Sequence, residues 1–66
     1  MKIRLNGEER DVQAAGTLAE LIAELELGGK RIAVELNGEI APRSRHAAIT
    51  LSANDHVEIV QAIGGG

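Results

Sequence analysis

The sequence predicts an α+β fold in which one main helix packs on one face of a mixed, four- to five-stranded sheet. Three observations carry that expectation. Runs near both ends of the chain and in its middle alternate polar and apolar residues, the period of a half-buried strand. Between them, one stretch places its leucines and an isoleucine at helical spacing. Two Asn-Gly pairs stand where strand-like runs stop, which is the chemistry of tight hairpin turns.

Taken in order, Lys2-Ile3-Arg4-Leu5 is the first strand, with Ile3 and Leu5 facing inward. Asn6-Gly7 supplies the φ > 0 positions of a turn and is read as turn chemistry, without a functional role. A second strand from about Glu9 to Gln13 returns antiparallel. Val12 is its one clear core residue, and its charge suits a sheet edge. Ala14-Ala15-Gly16 is a loop. Thr17-Leu18-Ala19-Glu20 then fits a capping box, and Leu18, Leu21, Ile22 and Leu25 share one helix face. Glu20, Glu24 and Glu26 make a solvated face, not a catalytic pair, and Gly28-Gly29 is expected to stop the helix.

Ile32-Ala33-Val34-Glu35-Leu36 alternates again and runs into Asn37-Gly38, after which Glu39-Ile40-Ala41 leads to Pro42. Pro42 to His46 reads as an irregular surface segment or one short helical turn, with Ile49 and Leu51 returning to the core. Ser52 to Asp55 is a polar turn, and the final strand starts near His56 with Val57 and Ile59 inward. Laid beside the first strand, it would run parallel to it in the sheet centre. Val60, Ala62 and Ile63 are then candidate docking residues at the surface, next to a glycine run. Residues 1–63 form the domain and residues 64–66 a flexible glycine tail.

Composition excludes several classes of function. A chain of 66 residues buries only about 60% of its unfolded surface, too little for a deep active site of its own. It has no Phe, Tyr or Trp on which bases could stack, and a formal net charge of −3 opposes nucleic-acid binding. Absence of cysteine removes disulfides, thiolate metal sites and thiol nucleophiles. His46 and His56 lack ligand spacing, so no metal is expected. Arg43 and Arg45 are read as solvated. No apolar run suits a signal peptide or a membrane span, and the expected location is the cytoplasm.

The glycines Gly64, Gly65 and Gly66 follow the last strand directly and form a tether slender enough for a narrow channel. Together with Asn6-Gly7, the helix opening Thr17 to Glu20, the stretch Val34-Glu35-Leu36-Asn37-Gly38-Glu39-Ile40 leading to Pro42-Arg43, and the closing Val57 to Gly66, they resemble the ThiS family of sulfur carriers of thiamine biosynthesis. The resemblance covers the whole chain. It departs from the family in lacking aromatics and in having Asn54-Asp55 where many members have Gly-Asp.

The resemblance implies a β-grasp, ubiquitin-like fold and a non-enzymatic role as protein co-substrate. Gly66 would be adenylylated by an adenylyltransferase resembling ubiquitin-activating enzymes, which uses ATP and magnesium. A persulfide donor would convert it to a thiocarboxylate, and thiazole synthase would accept the sulfur. Gly64 and Gly65 would enter the partners' active sites, and this chain itself would bind no cofactor. The alternatives are the small subunit of molybdopterin synthase, a ubiquitin-like protein modifier, and a purely structural interaction domain.

Overall fold

Two Asn-Gly turns build the two hairpins that form the edges of the sheet. Strands β1 (Lys2–Leu5) and β2 (Glu8–Asp11) are joined by Asn6 and Gly7 at φ 52° and 83°. Strands β3 (Ile32–Leu36) and β4 (Glu39–Ile40) are joined by Asn37 and Gly38 at φ 52° and 86°. Two successive residues with φ > 0 define a type I′ turn, whose twist matches that of the flanking strands. These details come from a computed structural model that describes residues 1–12 and 16–61.

Strand β5 (His56–Gln61) lies between the hairpins and completes a mixed sheet in the order β2-β1-β5-β3-β4. It runs parallel to β1 over Arg4↔His56 and Leu5↔Val57, and antiparallel to β3 from Leu36↔Val57 to Ile32↔Gln61. The parallel central pair expected from the sequence is present. Helix α1 (Leu18–Glu24) supplies Leu18, Leu21 and Ile22 to a core shared with Ile3, Val12, Val34, Ala41, Leu51, Val57 and Ile59. Ile3, Leu18 and Val57 are its largest fully buried side chains, each worth about 1.5–3 kcal/mol on removal from water. Among the described residues, five strands with one α-helix on one face make the expected β-grasp fold.

The capping box forms as read. Thr17 Oγ1 accepts from the Glu20 N–H at 3.2 Å, and Glu20 Oε1 accepts from the Thr17 N–H at 2.8 Å. The other free donors of the first turn are met by the chain leading into β5: Leu18 N–H donates to the Ile49 carbonyl and Ala19 N–H to that of His46.

Three boundaries differ from the sequence reading. Strand β2 begins at Glu8 and ends at Asp11, because a two-residue turn sets Glu8 directly opposite Leu5. Val12 is buried just beyond the strand, and Gln13, Ala14 and Ala15 lie outside the described residues. Helix α1 ends at Glu24, before Gly28-Gly29. Glu26 takes the left-handed conformation at φ 59°, its N–H donates to the Ala23 carbonyl, and Leu27 N–H donates to that of Ile22. That pair of bonds is a Schellman motif, here closed by a glutamate while Leu27 folds against the core. His46, placed at the surface by its polar neighbours, is buried with its Nε2 2.9 Å from the Ala41 carbonyl. The segment before it forms one 3-10 turn, Arg43–Arg45, entered through Pro42. Ile49 is half-buried and Leu51 buried, as expected.

Candidate functional site

The site is built on β5, the central strand, whose sequence runs on into residues 62–66. Alternation sends Val57 and Ile59 into the core and leaves His56, Glu58 and Val60 on the uncovered sheet face. Val60 is 65% exposed, and Ile40, at 77%, is the other exposed large aliphatic among the described residues. They share that face through the pairings Val60↔Ala33, Glu58↔Glu35 and Glu35↔Ile40.

Val60 borders a groove lined by Arg31, Ile32, Ala33 and Arg43. Opposite Val60, the small Ala33 leaves the valine standing proud of the sheet. Arg43 is less free than the sequence suggests, because its Nη2 donates to the Lys30 carbonyl at 2.9 Å. The candidate docking residue is thus an aliphatic that lines one groove together with two arginines, a combination hidden in the sequence because Arg31 and Arg43 are distant along it from Val60. The other candidates, Ala62, Ile63, Gly64, Gly65 and Gly66, lie outside the described residues.

Elsewhere the polar groups serve the fold. Among the described residues no group of three or more His, Cys, Asp or Glu side chains could hold a metal ion. His46 is tied to Ala41 in the interior, and His56 lies on the open face opposite Arg4. Lys2 Nζ meets Glu9 at 3.0 Å, and that hydrogen-bonded carboxylate holds the ammonium above its ordinary value. Glu20 is committed to the capping box, while Glu24 and Glu26 are solvent-exposed, in keeping with a solvated face. No described helix is long and apolar enough to cross a membrane.

The two turn asparagines do more than turn the chain. Asn6 Oδ1 accepts from the Ile59 N–H at 2.8 Å, and Asn6 Nδ2 donates to the Ile59 carbonyl at 3.2 Å. On the other side of the strand, Asn37 Oδ1 accepts from the His56 N–H at 2.9 Å, and its Nδ2 donates to Asp55 Oδ1 at 3.1 Å. Both hairpin turns therefore grip β5 by its backbone or its lead-in. Asn-Gly signals the turn in the sequence, but nothing local signals a partner more than fifty positions away for Asn6.

Comparison with known proteins places these features. The family model described as the ThiS family matches residues 3–66. The sulfur carrier protein ThiS of Bacillus subtilis is 35% identical over 65 residues, covering 97% of this chain and 98% of that protein. A thiazole synthase of Paramagnetospirillum magneticum is 44% identical over the full 66 residues, and the chain spans 20% of its length. A thiazole synthase of Magnetococcus marinus is likewise spanned over only 20%. The crystal structure of the thiamine biosynthesis protein (ThiS) from Geobacter metallireducens superposes with a TM-score of 0.85 at 33% identity, each chain covered completely.

Proposed function

The chain belongs to the ThiS family, and from that membership we propose that it is a sulfur carrier for thiazole formation in thiamine biosynthesis. The observation that carries this reading is the extent of the family match, which runs through the sheet and on across the glycines to residue 66.

In this reading the sulfur travels on the carboxyl group of Gly66. A carboxylate is a poor acyl donor, since oxide is a poor leaving group. Attack of the Gly66 carboxylate on the α-phosphorus of ATP releases pyrophosphate and leaves an acyl-adenylate. The activating partner clamps the phosphates with magnesium and basic groups, where charge develops. The terminal sulfur of a persulfide then attacks the acyl carbon and expels AMP, and a thiol reductant cleaves the resulting S–S bond. A thiocarboxylate remains on Gly66. The chain needs no nucleophile of its own and, having no cysteine, has no side-chain thiol to compete for the sulfur.

Thiazole synthase is the proposed acceptor. Support comes from the relatives of that name, in which one stretch matches this whole chain. Val60, with Ala62 and Ile63, would dock on the partners, and the arginines beside Val60 would favour an acidic rim around an apolar socket. Gly64 and Gly65 would thread the narrow approach to each active site.

The test is the intact mass of the chain after incubation with ATP, magnesium, its cognate activating enzyme and a persulfide source. The expected result is a gain equal to exchanging one oxygen for sulfur, absent in a variant lacking Gly66. Val60→Asp should fold normally, as surface substitutions usually change stability by no more than about 0.5 kcal/mol, and load poorly. An unchanged mass with a demonstrably active enzyme, or chains joined to lysines of other proteins, would refute the carrier reading in favour of a binding domain or a modifier.

A further inference from the structure

We propose that Asn6 is a positioning residue for the loading reaction, a role that rests on the carrier reading above: its side-chain amide holds the backbone of Ile59 near the end of β5, the strand whose sequence runs on to Gly66.

The reason lies in how unevenly β5 is supported. On the β3 side its pairing continues to the strand's end at Ile32↔Gln61. On the β1 side it stops at Leu5↔Val57, where β1 turns away through Asn6-Gly7. From Glu58 to Gln61 the strand has no β1 residue opposite it. A strand held along one edge alone can twist or peel about that ladder. The Asn6 amide fills the gap by presenting an acceptor and a donor to Ile59, as a further residue of β1 would. This grip acts two positions before β5 ends. The same edge borders a groove lined by Leu5, Asn6, Leu25, Leu27, Ile59 and Gln61.

The turn does not itself require asparagine. Asn6 stands at φ 52°, which glycine adopts at no steric cost, so Asn6→Gly removes the amide while keeping the type I′ geometry. Asn37 provides a matched comparison. It occupies the same turn position at the same φ, but its amide grips the start of β5 through the His56 N–H. A purely structural role for the two amides predicts similar losses from the two glycine variants. A positioning role predicts loss of function from Asn6→Gly alone, because only Ile59 lies close to the strand's exit.

The experiment uses the full chain, with ATP–pyrophosphate exchange by the cognate activating enzyme measured against carrier concentration. Asn6→Gly should speed amide exchange at Ile59 by about tenfold, the loss expected for one or two net hydrogen bonds. Its KM should rise about 3–10-fold with kcat within about twofold, since a smaller fraction of carriers presents the tail productively. Asn6→Asp keeps an acceptor for the Ile59 N–H but sets a carboxylate oxygen where Asn6 Nδ2 donates to the Ile59 carbonyl, so its KM should also stay above the wild-type value. Asn37→Gly should speed exchange at His56 and leave KM within about twofold of the wild type. A wild-type KM for Asn6→Gly, or an equal rise in both glycine variants, would overturn the positioning role and leave the carrier reading intact. If the wild-type chain supports no exchange with an enzyme shown to be active on another carrier, the carrier reading fails and the positioning role with it.

Discussion

Glu26 closes the helix C-terminus in a conformation suited to glycine, and replacing it should make the protein more stable. At φ 59° a residue with a Cβ is strained by roughly 1–2 kcal/mol relative to the right-handed region. Glycine relieves that strain but gives up about 0.4–1 kcal/mol through the greater freedom of the unfolded chain. The net gain for Glu26→Gly is then about 0.5–1 kcal/mol. With roughly 2.1 cal/mol/K of unfolding entropy per residue over 66 residues, Tm should rise by about 4–7 °C. Glutamate here also faces the negative end of the helix dipole, so removing its charge could stabilise by itself. Glu26→Ala separates the two effects, because alanine loses the charge and keeps the Cβ. The measurement is a pair of thermal melts followed by circular dichroism, in which the glycine variant should melt above the alanine variant by about the same interval. Equal Tm values for the two would refute the strain argument and assign any gain to charge.

Two further predictions concern the helix. A Cβ added at Gly16 would overlap Oε1 and Cδ of Glu20, so Gly16→Ala should expel that carboxylate from the capping box and cost about 0.5–1.5 kcal/mol in urea unfolding. In a Glu20→Ala background the same change should be nearly neutral, and an undiminished cost there would mean that Gly16 matters for another reason. Leu18 is fully buried, and Leu18→Ala should cost about 2–5 kcal/mol, a large share of the roughly 3–10 kcal/mol available to a chain of 66 residues. A midpoint shift worth less than about 1 kcal/mol would show that the site collapses around the missing methyl groups.

Most of the fold was legible because its signals are local. Alternation at Lys2 to Leu5, Ile32 to Leu36 and His56 to Gln61 marks strands whose one face is buried, and each of these runs is a strand. The Thr17–Glu20 box and both Asn-Gly turns are decided by residues within a few positions of each other, and all three form. The exposure of Val60 also followed from the parity of β5. The misread features have non-local causes. Helix α1 stops at Glu24 because Leu27 turns back onto a core built from β1, β3, β5 and the helix itself, ahead of the glycine signal downstream. His46 is buried because the hairpin brings the Ala41 carbonyl to its ring, which composition around Pro42 could not reveal.

The sequence by itself thus determined the element types and the faces they bury, which periodicity and short motifs encode directly; its resemblance over the whole chain pointed to the family, and Gly66 as bearer of sulfur is a proposal that rests on that resemblance. Only the tertiary structure decided which backbone groups the turn asparagines hold and which arginines line the groove beside Val60. Such partners are chosen when separate segments meet: a side-chain amide satisfies whichever buried or edge N–H and C=O the topology places beside it. For Asn6 that is Ile59, a neighbour in space because β1 ends early while β5 continues.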